Sequence, residues 1–115
     1  MTTAAQGGDL NTTFAALADP TRRQVVQLLS QGPRRAGDIA ESAGTSGPAM
    51  SRHLRVLLEA GIVADERPPG DARVRVFRLS PGSMVAVQAW LDQVQAHWNT
   101  QLRSFKCHVE GTKRR

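Results

Sequence analysis

The sequence predicts a mainly α-helical fold with a small β-hairpin, and three observations carry that expectation. Most apolar residues recur at helical spacing. One stretch, Arg73-Val74-Arg75-Val76-Phe77-Arg78-Leu79, nearly alternates charged and apolar residues, as a half-buried strand does. Between these stretches lie clusters of Gly, Pro, Asp and Ser that mark where each element ends. The 115 residues fit one domain with a thin core, so a second copy of the chain would help to cover apolar surface.

The elements follow in order. Residues 1–9 are polar, contain Gly7-Gly8, and are expected to form a disordered tail. Leu10, Phe14 and Leu17, spaced i, i+4, i+7, begin a short amphipathic helix. Asp19-Pro20 ends it and starts the next, with Asp19 as N-cap and Pro20 in the first helical position. Val25, Val26, Leu28 and Leu29 give the second helix its buried face, and Gly32-Pro33 stops it. A third helix, residues 37–43, turns Ile39 and Ala40 inward. After Gly44-Thr45, Ser46 is the N-cap of a fourth helix with Pro48 in its first turn. That helix runs to Ala60 and stops at Gly61, burying Met50, Leu54, Leu57 and Leu58. Residues 62–66 and 74–79 are read as strands, joined by the turn chemistry of Pro68-Pro69-Gly70-Asp71-Ala72. A long helix follows over residues 82–107, with a stripe of Val87, Trp90, Leu91, Val94, Trp98, Leu102 and Phe105. The domain is therefore expected over residues 10–107, with 108–115 as a basic C-terminal tail.

Composition limits the function classes. The net charge is +5, but Lys113, Arg114 and Arg115 supply three of those charges, so placement says more than the total. Cys107 is the only cysteine, which excludes an internal disulfide and a zinc finger or ribbon. Residues 1–9 have no basic segment followed by an apolar run, so a signal peptide is not expected. No stretch approaches the roughly 18 uninterrupted apolar residues of a membrane span. The chain is expected to be cytoplasmic. It offers no Gly-rich phosphate loop, activated nucleophile or paired carboxylates, so neither an enzyme nor a cofactor is expected.

Two short helices joined by a Gly-containing turn form a helix-turn-helix unit, and the hairpin lies where a wing would follow it. DNA reading needs a helix that buries one face and offers polar groups free of carboxylates on the other. The fourth helix does so until Glu59: Ser46, Gly47, Pro48, Ser51, Arg52, His53 and Arg55 occupy its outward and N-terminal positions. Arginine at 52 or 55 can bond guanine in the major groove, and Ser51 or His53 a base edge or phosphate. Arg67, Arg73, Arg75 and Arg78 cluster around the hairpin, within reach of phosphates or a minor groove, with Asp65, Glu66 and Asp71 diluting the patch. The competing reading of these arginines is a solvated helix face and a charged strand edge, or a winged helix that contacts protein rather than DNA.

The stretch Phe14-Ala15-Ala16-Leu17-Ala18-Asp19-Pro20-Thr21-Arg22-Arg23 resembles the opening signature of ArsR-type (arsenical-repressor) regulators. The segments 45–57 and Ala60-Gly61-Ile62-Val63 resemble their recognition helix and first wing strand. The resemblance implies a winged helix-turn-helix homodimer, joined through its first and last helices, that represses an operator in double-stranded DNA until an inducer releases it. The broad aromatic stripe of the last helix points to an interface on its own physics. Leu10, Phe14, Leu17, Trp90, Val94, Trp98, Leu102 and Phe105 are the interface candidates. Metal-sensing members of the family carry a Cys-x-Cys pair at the third helix, or Asp-x-His and His-x-x-Glu on the last. Here residues 35–39 lack cysteine. His97 and His108 keep the spacing of the second motif, but Gln95 and Gly111 replace its carboxylates, and two histidines alone are a poor zinc site. The last helix more closely resembles the subgroup without metal ligands, and a metal-responsive repressor using His97 and His108 is the alternative reading.

Overall fold

The computed structural model describes residues 10–71 and 73–113. The expectations for the 1–9 tail, for Ala72 in the wing turn and for the last two residues lie outside these.

Eight elements follow one another: α1 (Leu10–Leu17), α2 (Pro20–Leu29), β1 (Arg34–Arg35), α3 (Ala36–Ala43), α4 (Gly47–Glu59), β2 (Val63–Glu66), β3 (Val76–Leu79) and α5 (Pro81–Lys113). The helical spacing places one face of each short helix in a common core. Ala16 of α1, Val25 and Leu29 of α2, Ile39 and Ala40 of α3, and Met50, Leu54 and Leu57 of α4 are buried together. Ile62, Val63 and Phe77 close this core from the sheet side. Val26 and Leu28, expected on the buried face of α2, are half-buried at its margin.

The helix ends are set by local chemistry. Asp19 accepts from the backbone N–H groups of Thr21 (2.8 Å) and Arg22 (3.1 Å), so α2 starts where the Asp-Pro pair says it should. At the end of α3 the N–H of Thr45 donates to Ala40 O (3.0 Å) and that of Gly44 to Glu41 O (3.2 Å). At the end of α4 the N–H of Ile62 donates to Leu57 O and that of Gly61 to Leu58 O, both at 3.0 Å. Each pair of bonds closes a Schellman cap around a glycine with positive φ, 69° at Gly44 and 77° at Gly61. These two glycines are what allow α3 to turn sharply into α4 and α4 into the wing.

The sheet departs from the expected hairpin by one strand. β2 and β3 pair antiparallel with Val63 opposite Leu79 and Glu66 opposite Val76. On its other edge β3 pairs antiparallel with β1, Arg34 opposite Phe77 and Arg35 opposite Val76, giving the order β1-β3-β2. Two consecutive arginines carry no period-2 signal. They form a strand because β3 would otherwise present an open ladder beside the start of α3. The second wing strand is Val76–Leu79, against an expected 74–79.

α5 is longer than expected at both ends. It runs from Pro81 to Lys113, so the boundary at Cys107 does not hold and residues 108–113 continue the helix. No proline follows Cys107, and a single Gly111 costs only about 1 kcal/mol against alanine, too little to stop a helix already formed. Ser83 is buried and Met84 packs against the core, while residues from Gln88 to His108 are exposed. The first turns of α5 therefore anchor it, and the rest carries an uncovered apolar stripe. No helix among the described residues is long and apolar enough to cross a membrane.

Candidate nucleic-acid interface

α4 owes its start to Ser46, whose hydroxyl accepts from the N–H of Ala49 at 3.2 Å, and to Pro48, which needs no N–H partner in the first turn. Its buried side, Met50, Leu54 and Leu57, fixes the rotation of the helix on the core. That rotation leaves Ser46, Gly47, Pro48, Ser51, Arg52 and Arg55 exposed along one face. Among the described residues Arg52 and Arg55 have no hydrogen-bond or ion-pair partner. The two guanidinium groups are presented to solvent one helical turn apart.

His53 does not belong to that face. It is half-buried, and its Nδ1 lies 3.3 Å from Nη1 of Arg22 on α2. Arg22 has only donors to offer, so Nδ1 is the acceptor in this contact. The contact that the structure gives His53 is one between α2 and α4, made through Nδ1. The periodicity held the signal: Met50, His53 and Leu57 fall at i, i+3, i+7, so His53 lies on the inner stripe.

Arg22 is a residue that sequence reasoning passed over. Its Nε donates to Ala16 O at 2.6 Å and its Nη2 to Ala15 O at 3.4 Å, while Asp19 lies 4.0 Å from Nη1. The neighbouring Arg23 donates from Nη1 to Leu17 O at 2.7 Å. Together they give donors to the last carbonyls of α1, of which Ala15 O also accepts from the Ala18 N–H at 3.3 Å. One guanidinium thus joins the end of α1, the start of α2 and the inner face of α4. The Arg22 N–H is also the main reason that the Asp19 carboxyl is held below its ordinary pKa. Partial desolvation opposes this, and the Thr21 N–H and the Arg22 charge add to it.

The wing arginines differ from those of α4. Arg75 donates from Nε to Asp65 Oδ2 at 2.9 Å and approaches the same oxygen from Nη2 at 2.7 Å. Its guanidinium carbon stands 4.9 Å over the centre of the Phe77 ring. Arg73 faces Asp71 and Arg78 faces Glu66, each at 3.4 Å. Arg67 is exposed next to β2. The acidic residues of the hairpin are paired with the patch they dilute, one carboxylate to each of Arg73, Arg75 and Arg78. Between α4 and the wing lies a groove of about 170 Å³, with Ser51 and Arg55 on one wall and Arg75 and Phe77 on the other.

The proposed seam is divided. Phe14 on α1 meets Trp90 on α5 edge to face, ring centres 5.4 Å apart. Leu17 packs against the core, and Leu10 is half-buried. Beyond Trp90 the stripe continues uncovered through Val94, Trp98 (58 % exposed), Leu102 and Phe105 (67 % exposed). His97 and His108 are exposed on this helix, three turns or about 16 Å apart along its axis. Among the described residues no three His, Cys, Asp or Glu side chains converge on a position that could hold a metal ion.

Residues 19–65, which span the start of α2 to the middle of β2, match the family model described as "Bacterial regulatory protein, arsR family". The chain is 44 % identical over 92 residues to the HTH-type transcriptional regulator Rv2034 of Mycobacterium tuberculosis, covering 80 % of each chain. It is 45 % identical over 58 residues to the transcriptional repressor SdpR of Bacillus subtilis, covering 50 % of this chain and 64 % of that one. A solved structure from Mycobacterium bovis superposes with a TM-score of 0.60 at 29 % identity, covering 80 % of this chain and 82 % of that one. It is described as the homodimeric winged helix-turn-helix DNA-binding domain of a possible ArsR-family transcriptional regulator. With its α3–α4 pair, its three-stranded sheet and a relative this similar over four-fifths of its length, the chain belongs to the ArsR family of winged helix-turn-helix transcriptional regulators.

Proposed function

We propose that this chain is a homodimeric repressor that acts in the cytoplasm, without catalysis, by placing two α4 helices in the major groove of a pseudo-palindromic operator. The observation that carries this reading is the face of α4. Arg52 and Arg55 stand unpaired there beside Ser51, and the face is free of carboxylates until Glu59. Unpaired guanidinium forks can bond O6 and N7 of guanine, while the wing meets the sugar–phosphate backbone. Dimerisation is supported by the uncovered stripe of α5, which a lone domain would leave in water, and by the homodimeric assembly of the M. bovis relative. Repression is supported by the printed role of the B. subtilis relative. A two-fold dimer sets the half-sites about 34–36 Å, or a multiple of that, apart.

The test is selection of bound DNA from random duplexes, followed by anisotropy titrations on the selected operator and on a scrambled duplex. Arg52→Ala or Arg55→Ala should cost about 1–3 kcal/mol on the operator and relax preference at one base pair. Equal losses on both duplexes, with preference intact, would make α4 a positioning element and remove the base-reading role.

A further inference from the structure

Three wing arginines are already engaged by carboxylates, whereas the two on α4 are free. The firmest of these pairs is Arg75–Asp65. Two nitrogens of Arg75 reach one oxygen of Asp65 at 2.7 and 2.9 Å, and the guanidinium plane is held over Phe77. Asp65 sits directly opposite Phe77 in the antiparallel ladder, so the backbone pairing itself brings it to Arg75, ten residues away. A carboxylate placed in this way occupies the donors that would otherwise grip a DNA phosphate.

We infer that Asp65 is an affinity-limiting residue that holds Arg75 in an intramolecular pair and keeps this part of the wing electrically neutral toward DNA. The inference rests on the DNA-binding reading above. A phosphate gains the Nε–Nη2 edge of Arg75 only by displacing Asp65, so Arg75 adds little to the wing's hold on arbitrary DNA. The strength of binding then depends on Arg52 and Arg55. Asp71 and Glu66 stand in the same relation to Arg73 and Arg78, with longer contacts of 3.4 Å and correspondingly weaker hold. Arg75 also shares the groove with Arg55 and Ser51, so its release places a second guanidinium beside the reading helix.

The decisive variant is Asp65→Asn, titrated against the selected operator and the scrambled duplex from low to high salt. Releasing Arg75 for one more phosphate should steepen the log–log salt dependence by about one unit. It should also tighten binding roughly fivefold at 0.15 M salt, on both duplexes alike. In an Arg75→Ala background the same change should bring less than about a twofold gain, because no guanidinium remains to be released. Asp92→Asn on α5 alters the net charge equally far from the wing and serves as the charge control. Asp65→Ser is the second variant should the amide disturb the hairpin. Asp65 variants that bind no tighter than wild type overturn the inference. So does a gain that persists without Arg75, or one that Asp92→Asn reproduces. A wild-type protein that binds no duplex at all overturns the DNA-binding reading as well, which separates the two failures.

Discussion

Replacing Arg22 by alanine removes a guanidinium that three elements share. Its shortest bond, 2.6 Å from Nε to Ala16 O, is charge-assisted, and Ala16 is a buried residue in the last turn of α1. A bond of that kind contributes about 1.5–3 kcal/mol, and a buried carbonyl left without a donor costs about 1–3 kcal/mol, two descriptions of largely the same loss. The 3.4 Å contact to Ala15 O is too long to add much, and the contact to His53 Nδ1 adds a few tenths. Arg22→Ala should therefore destabilise the fold by about 2–3 kcal/mol, or lower its Tm by about 10 °C. Arg23→Ala is the internal comparison. Its bond to Leu17 O is equally short at 2.7 Å but exposed, so water replaces it and the loss stays under about 1 kcal/mol. Urea denaturation followed by circular dichroism measures both. One protein concentration must be used throughout, because self-association raises apparent stability by mass action. If Arg22→Ala cost no more than Arg23→Ala, the carbonyls of α1 would not depend on this clamp, and the argument for its role would fail.

Trp98→Glu puts a charge into the uncovered stripe of α5. It should shift the protein toward monomer in sedimentation velocity and weaken operator binding through lost avidity, whereas a wild type already monomeric at micromolar concentration contradicts the seam. Asp19 has a folded pKa below its unfolded value of 3.8, so its stabilising effect is complete above about pH 5 and is lost as the pH falls through the lower folded value. The stability gap between wild type and Asp19→Asn should accordingly stay constant above that pH and narrow only below it, in urea titrations at stepped pH. Gly44→Ala forces a Cβ into φ 69° with open space around it, so the cost is backbone strain alone, about 1 kcal/mol, and Gly44→Asn should cost less. Stoichiometric zinc should leave operator anisotropy unchanged, and a release of DNA by zinc that His97→Ala abolishes would restore the metal-sensing alternative.

Much of the fold was legible because its signals are local. The 3.6-residue spacing of Leu10, Phe14 and Leu17, or of Met50, Leu54 and Leu57, already selects the face that must leave water. Asp19-Pro20, Ser46 with Pro48, and the glycines at 44 and 61 mark helix ends through bonds that reach no farther than five residues. The exposed face of α4 follows from its buried one, so Ser51, Arg52 and Arg55 could be named before any tertiary contact was known. The spacing of His53 from Met50 and Leu57 turns it toward the inner stripe, where it meets Arg22.

The remaining features depend on residues far apart in the chain. Arg34-Arg35 becomes a strand only because β3 arrives beside it, about forty residues later, with an unpaired edge. Arg22 reaches His53 across 31 residues, a contact set by how α2 packs on α4. The wing charges show the division most clearly. From sequence alone Arg73, Arg75 and Arg78 are cations near a hairpin, and Asp65, Glu66 and Asp71 are anions near the same hairpin. Only the antiparallel register, Asp65 opposite Phe77 and Glu66 opposite Val76, decides which carboxylate meets which guanidinium. Periodicity and capping act within a few residues and are written in the chain. Long side chains and strand edges choose partners by distance in space, so the packed structure alone determines which charges remain free to meet DNA.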